Sequence, residues 1–206
     1  MKSFTLALIL MTAFVSNSAH SAMIDDFNGG NTVVVATDTD SQNYSHAFGG
    51  KRTINIEKSG PLGATSAVVA GMFAHSADAL TSATSTISWN APSSVDLVEG
   101  RSSSFFALDI LAIDQGDIDL ILSISDILGA SDTYTLQNSG IGLQFIDFSL
   151  FSGIDFLQAT NISLQIVGDT ASDVTLDSIS TVPTPSVLIL LSIGLIALGF
   201  NRQAAT

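Results

Sequence analysis

The sequence predicts an all-β protein, an antiparallel β-sandwich of the jelly-roll type, between two terminal segments that lie outside the fold. Three observations support this fold class. The body of the chain consists of short runs rich in Val, Ile, Thr, Ser and Phe, which Gly, Asn and Asp interrupt. Several of these runs alternate apolar and polar residues with a period of two. Helical periodicity is absent between the runs, so we expect strand to follow strand.

Ten runs are expected to form strands. Along the chain they cover residues 32–37, 52–57, 66–73, 81–89, 105–113, 118–125, 132–137, 142–150, 161–167 and 173–180. The run 118–125 alternates most clearly, with Ile118, Leu120, Leu122 and Ile124 on one face.

Three other runs carry specific expectations. In 81–89, Trp89 shares a face with Ile87, which predicts that the indole is buried. Residues 105–113 are nearly all apolar and predict a central strand buried on both faces. In 142–150 the apolar phase changes between Phe145 and Ile146, which predicts a β-bulge or a sharp bend.

Residues 1–22 have the pattern of a secretory signal peptide. Lys2 supplies the positive start, and residues 4–15 form an apolar stretch of about 18 Å as a helix, too short to span a bilayer. Residues 16–22 are small and polar, so cleavage is expected between Ala19 and Met23. The pattern predicts export, and it leaves one folded domain over residues 23–182.

The charge of this domain limits its partners. The chain has 19 acidic and 6 basic residues, and only four of the basic residues lie within 23–182, so the domain carries 4 − 19 = −15. Such a surface repels phosphate backbones, which excludes nucleic acid as a partner. The chain has no cysteine, so a domain of about 160 residues has to be stabilised by its core rather than by disulfides.

Residues 183–206 form a second apolar terminus. Pro183 and Pro185 end the last strand and suit the first turn of a helix. The apolar run 187–200 predicts a transmembrane helix over about 184–201, because Pro183 to Arg202 spans about 30 Å as a helix. Arg202 is the one charge nearby and predicts a cytoplasmic C-terminus.

This terminus resembles the PEP-CTERM sorting domain, which consists of a Pro-Glu-Pro box, a transmembrane helix and a basic end. Residues 182–186 read Val-Pro-Thr-Pro-Ser, the apolar run contains Gly-Leu and Leu-Gly steps, and a basic residue follows. Threonine stands in the place of the family's glutamate. The resemblance implies a sorting motif made of Val182, Pro183, Thr184, Pro185 and Arg202.

What the resemblance implies extends to location and partners. Members of this family are exported by Gram-negative bacteria, many of which make extracellular polysaccharide, and an exosortase, a transpeptidase-like membrane enzyme, processes the tail. The body is similar to uncharacterised β-sandwich proteins with such tails, through residues 24–27, 49–52 and 174–179 in that order. Residues 174–179 also resemble the closing strand of jelly-roll carbohydrate-binding modules.

Two groups of carboxylates suggest a calcium site, because calcium takes six to eight oxygen ligands. Asp25, Asp26 and Asp177 lie on the first and last strands, which often neighbour each other in jelly rolls. Residues 114–119 hold three aspartates around a glycine. The alternative for both groups is aspartates that face water or cap turns.

The sequence offers few residues for sugar binding or catalysis. Sugar rings stack on exposed Trp and Tyr, and the candidates are Tyr44, in a polar loop, and Tyr134. A hydrolase would need a Ser-His-Asp triad or two close carboxylates, but the chain has no Gly-x-Ser-x-Gly elbow. The chain contains His46, His75 and many serines, but no motif predicts that either histidine contacts a catalytic serine.

These observations predict an exported, C-terminally membrane-anchored protein of the bacterial surface or extracellular matrix, without catalytic activity. The alternatives are a carbohydrate-binding module for exopolysaccharide and a secreted hydrolase. The expected partners are the membrane, an exosortase and exopolysaccharide.

Overall fold

The computed structural model describes residues 22–35, 39–43, 47–99 and 103–183, and within them thirteen strands form two antiparallel sheets. The strands are β1 (Met23–Asp25), β2 (Thr32–Val35), β3 (Thr39–Asn43), β4 (Lys51–Ser59), β5 (Ala64–Val69), β6 (Met72–Ala77), β7 (Ser82–Val95), β8 (Ser103–Asp114), β9 (Ile118–Asp126), β10 (Ser131–Leu136), β11 (Gly142–Asp147), β12 (Ala159–Gly168) and β13 (Asp173–Pro183). Three 3₁₀ turns cover Phe48–Gly50, Phe148–Leu150 and Phe156–Gln158.

The strand order is that of a jelly roll. The seven-stranded sheet runs β11-β8-β13-β6-β5-β2, with β1 also paired to β13, and the six-stranded sheet runs β10-β9-β12-β7-β4-β3. The last eight strands, β6 to β13, have the order β6-β13-β8-β11 in one sheet and β7-β12-β9-β10 in the other. This arrangement of eight strands in two four-stranded layers is what the jelly-roll prediction requires.

The inner faces of the two sheets form the core. The predicted alternation in β9 is confirmed, because Ile118, Leu120, Leu122 and Ile124 are all buried. Trp89 is buried beside Ile87, as expected, and Ile162, Leu164 and Ile166 of β12 pack into the same cluster. An antiparallel sheet that covers a core with one face is expected to alternate in this way.

Three expectations about strands need correction. The run 66–73 is two strands, β5 and β6, because Ala70 and Gly71 both adopt positive φ in the turn between them. β8 is central, but its outward Phe105 and Asp109 stay partly exposed. β11 pairs with β8 without a register shift, so the predicted bulge is absent.

The phase change in β11 has another cause. Leu143 and Phe145 face outward and are exposed, whereas Ile146 faces the core and is buried. Both faces of this strand are therefore apolar, and the period-two pattern is lost without any irregularity of the backbone.

The sandwich has two distinct ends. We call the end with Ala22 and Pro183 the exit end, because the described chain begins and ends there, and the backbone N–H of Thr181 donates to the Ala22 carbonyl at 2.8 Å. We call the opposite end, with the β8–β9 and β12–β13 turns, the far end.

Candidate ligand-binding face

Most side chains on the outward face of the six-stranded sheet carry a hydroxyl or an amide group. Since the inward residues of β4, β7, β9 and β12 are buried and those of β10 are half-buried, the alternate residues form this surface. On β10, β9, β12, β7 and β4 they are Ser131, Thr133, Thr135, Asp119, Ile121, Ser123, Ser125, Asn161, Ser163, Gln165, Val167, Thr84, Thr86, Ser88, Asn90, Lys51, Thr53, Asn55 and Glu57. We call this surface the hydroxyl–amide face.

The strand register sets these side chains in rows that cross the sheet. One row, from β10 to β4, is Thr133, Ser123, Ser163, Ser88 and Thr53. The next row is Thr135, Ile121, Gln165, Thr86 and Asn55. Neighbouring strands lie about 4.8 Å apart, so each row extends about 19 Å.

The side chains of the face bind one another in places. The hydroxyls of Ser123 and Thr133 lie 2.9 Å apart, and the amide of Asn161 donates to the Asn90 side-chain oxygen at 2.6 Å. Neither of the two rows contains a charged residue, although the chain has 25 of them (6 + 19). Asp119, Glu57 and Lys51 lie nearer the ends of the strands.

A shallow concavity of about 320 Å³ lies beside this face at the far end. Its lining consists of Asp117, Asp119, Gln137, Asn138, Val167 and Asp169. The carboxylate of Asp119 accepts a bond from the Asn138 backbone N–H at 3.0 Å, so it stabilises the turn after β10.

Asp25 belongs to a buried ion pair. The residue is 1% exposed, and its carboxylate accepts two bonds from Arg52 Nη1, at 3.0 and 2.9 Å. It also accepts from Trp89 Nε1 at 2.7 Å and from the Phe27 backbone N–H at 2.9 Å. The other guanidinium nitrogen, Nη2, donates to the Gly29 carbonyl at 2.9 Å. This network connects β1, β4 and β7 across the two sheets.

The predicted calcium site at Asp25, Asp26 and Asp177 is therefore not formed. The first and last strands do pair, with Asp25 opposite Ile179, but the Asp25 oxygens point to Arg52. Asp26 accepts bonds from Asn28, and Asp177 lies where the register of β13 is irregular. Across the described ranges, no three His, Asp or Glu side chains are grouped so that they could hold a metal ion. This includes the three aspartates of residues 114–119, the second group that suggested calcium.

The aromatic candidates do not supply a sugar-stacking surface. Tyr134 points inward from β10, and its ring lies 6.2 Å from that of Phe151 against the core. Tyr44 lies outside the described residues. Since Trp89 is buried, no Trp or Tyr in the described part of the chain faces outward from either sheet.

A second buried polar group surrounds His75 on β6. Its Nδ1 lies 2.5 Å from the Ser85 hydroxyl, and that hydroxyl also contacts the hydroxyl of Ser66. Burial lowers the pKa of His75 to about 4, against the opposing attraction of Asp173, so the ring is neutral at physiological pH. Sequence reasoning missed this group. The signal was Ser85, a polar residue on the same face as Ile87 and Trp89, which requires a buried partner.

The sorting motif is only partly within the described chain. Val182 and Pro183 complete β13, opposite Phe105 and Ser103 of β8. Thr184, Pro185 and Arg202 lie outside the described residues, as does the predicted signal peptide up to residue 21. Among the helices of the described ranges, none has the length and apolar character to cross a membrane.

Comparison with known proteins gives likenesses of fold. No family model and no curated protein matches the sequence. A family 11 carbohydrate-binding module from a cellulosomal cellulase of Clostridium thermocellum is 15% identical with a TM-score of 0.43, and the match covers 82% of this chain and 97% of the module. For the TmCBM61 module, solved with β-1,4-galactotriose, the identity is 10%, the coverage 72% and 90%, and the TM-score 0.37.

Other similar structures are parts of larger proteins. The chain covers 22% of PfGH50B, with 11% identity and a TM-score of 0.44. It covers 25% of an exo-β-agarase, with 14% identity and a TM-score of 0.46. The chain thus spans about a quarter of the length of these proteins.

Proposed function

We propose that the protein is an exported, non-catalytic surface protein that binds a neutral polysaccharide on the hydroxyl–amide face. The observation that carries this proposal is the pair of uncharged rows across five strands. Hydroxyl and amide groups both donate and accept hydrogen bonds, which suits a ligand covered with hydroxyls. Because the two rows lie on the surface of a sheet and none of their residues lines the concavity at the far end, they suit a chain better than a small molecule.

The charge of the domain supports a neutral ligand. At −15 for residues 23–182, the domain repels polysaccharides that carry carboxylate or sulfate groups. The two rows place no charge of either sign against the ligand, so no ion pair has to be desolvated there.

The absence of catalysis in this proposal is supported by the placement of His75. The residue is 1% exposed, and the ring Nδ1 is hydrogen-bonded to the Ser85 hydroxyl. A general base has to come within hydrogen-bonding distance of a substrate, and a residue this deep between the sheets does not.

Export and anchoring are part of the same proposal and are supported by the sequence. Residues 1–22 have the pattern of a signal peptide, and the run 187–200 is long enough with its flanks to insert in a membrane. Pro183, Thr184, Pro185 and Arg202 support processing by an exosortase. Replacing Gly194 and Leu195 by aspartate should leave the protein in the soluble fraction, whereas persistent membrane association would contradict the anchoring.

A glycan array with neutral, basic and acidic polysaccharides tests the binding. At an ionic strength that screens the attraction of the acidic domain for basic chains, we expect neutral polysaccharides to be retained and acidic ones not. A triple variant, Asn55→Ala, Thr86→Ala and Gln165→Ala, removes three hydrogen-bonding groups of one row and should weaken the affinity about tenfold or more, at about 0.5–1.5 kcal/mol for each bond. Thr175→Ala, on the other sheet, is the matched control and should bind like the wild type.

Two results would refute the proposal. One is an array on which no neutral polysaccharide is retained. The other is a triple variant that binds as tightly as the Thr175→Ala control.

A further inference from the structure

Exposed apolar side chains lie on three loops at the exit end of the sandwich. Ile127 and Leu128, in the β9–β10 turn, are 53% and 81% exposed. Leu150 ends the 3₁₀ turn after β11 and is 47% exposed, and Leu157 lies in the 3₁₀ turn before β12 and is 42% exposed. We call these four residues the apolar tips.

Hydrogen bonds hold the three loops against one another. The Asp126 carboxylate accepts from the backbone N–H of Leu128 at 2.9 Å and of Asp155 at 3.1 Å. The backbone N–H of Ile127 donates to the Gln158 carbonyl at 3.0 Å. Asp132 accepts from the Ser152 backbone N–H at 2.6 Å, which fixes the loop after Leu150.

The same hydrogen bonds stabilise the ionised carboxylates at this end. The N–H of Asp155, followed by those of the β9–β10 turn, holds the pKa of Asp126 below its usual value, and the Ser152 N–H does the same for Asp132. Both carboxylates are thus engaged by loop backbone while the apolar side chains face solvent. Asp96, Asp147 and Asp155 of this end are engaged in the same way, by the backbone N–H groups of Val98, Ser149 and Leu157.

The tips lie on the end from which both apolar terminal segments leave the domain. Pro183, the last described residue, is paired with Ser103, whose N–H donates to the Val98 carbonyl at 3.0 Å. The neighbouring Leu97 N–H donates to the Phe156 carbonyl at 2.9 Å, directly before Leu157.

The chain beyond Pro183 keeps the apolar run close to this end. Three residues, 184–186, separate Pro183 from the run 187–200. Four Cα–Cα steps extend at most about 14 Å. A membrane that holds the run 187–200 therefore lies within that distance of the exit end.

We propose that the apolar tips contact the surface of the lipid bilayer in which residues 187–200 are anchored. Exposed leucine and isoleucine gain free energy by leaving water for the headgroup boundary. The acidic domain repels anionic lipid, so the bilayer surface that suits this contact is zwitterionic. The inference rests on the proposed anchoring, and it adds an orientation: the exit end faces the membrane, with the strands and the hydroxyl–amide face extending away from it.

The absence of cysteine makes site-specific labelling a direct test. An environment-sensitive fluorophore is attached to the full chain at Leu128→Cys or, as a matched control, at Leu80→Cys in the β6–β7 turn of the far end, which is 73% exposed in the wild type. Both proteins are reconstituted in phosphatidylcholine vesicles with a lipid-borne quencher. We expect a blue shift and at least twofold stronger quenching at position 128 than at position 80.

The outcomes separate the two proposals. If the protein stays with the vesicles but both labels are equally quenched, the tips do not contact the membrane, although the anchoring stands. If the protein does not stay with the vesicles, the anchoring fails and the inference fails with it. A blue shift at position 128 without lipid quenching would mean that the tips bind a second copy of the chain, which also overturns the inference.

Discussion

Asp25→Ala should destabilise the sandwich severely, because it leaves the Arg52 guanidinium buried without its carboxylate. Removing one partner of a buried ion pair costs about 3–5 kcal/mol. Trp89 Nε1 and the Phe27 backbone N–H lose the same acceptor, at about 1–3 kcal/mol for each unsatisfied donor. The combined loss is comparable to the whole free energy of unfolding of an ordinary domain, about 5–15 kcal/mol.

Urea unfolding, followed by the fluorescence of the single tryptophan and by circular dichroism, measures this loss. Trp89 donates directly to Asp25, so circular dichroism is needed as a probe that the substitution does not alter locally. Asp26→Ala is the matched control, since that side chain is partly exposed and accepts bonds from Asn28 within its own turn. It should cost about 1 kcal/mol.

A double variant tests the physical reason. Asp25→Ala with Arg52→Met removes both charges, so it should be less destabilised than Asp25→Ala alone. The reasoning would be refuted by an Asp25→Ala protein that unfolds within about 1 kcal/mol of the wild type. It would also be refuted if the effects of the two substitutions simply added.

Two further predictions concern His75 and Gly49. Because the pKa of His75 is lowered from 6.5 to about 4, the free energy of unfolding keeps the full contribution of the neutral ring above pH 6.5 and loses up to about 3 kcal/mol as the pH falls from 6.5 to 4. Urea unfolding at each pH should show that this loss is absent in His75→Gln. Identical pH profiles of the two proteins would contradict the prediction. Gly49 has φ +67°, and a Cβ there would lie 2.4 Å from the Ala91 Cα. Gly49→Ala should therefore lower the melting temperature clearly more than Gly129→Ala, where φ is +85° but nothing lies within 4 Å of a Cβ. The left-handed backbone costs about 1–2 kcal/mol in both variants, so the difference between them reports the clash at position 49.

The core could be predicted from the sequence because each strand has one buried face. A period-two pattern records that face directly, which is why the burial of Leu120, Leu122 and Trp89 follows from the alternation. The pattern does not work in β11, where Leu143 and Phe145 are exposed. Apolar side chains on a solvent face are ordinary in proteins, and a sequence does not mark them as such.

The candidate sites could be predicted only in part. The pairing of the first and last strands was expected, but the partner of Asp25 is Arg52, 27 residues away, and no local pattern shows that this guanidinium turns inward. Tyr134 lies on a polar strand, yet its ring packs on Phe151 because a 3₁₀ turn carries that residue over the core.

The sequence by itself determined the all-β class, the inner and outer faces of most strands, the acidic charge and the two apolar termini. These are properties of consecutive residues, and a single strand or helix already expresses them. The tertiary structure decided which strands are neighbours. That choice assembled the hydroxyl–amide face from five strands, enclosed Asp25 with Arg52, and brought Ala22, Pro183 and the apolar tips to one end. Such contacts join residues far apart in the chain, and they form only when the two sheets pack together and the core excludes water.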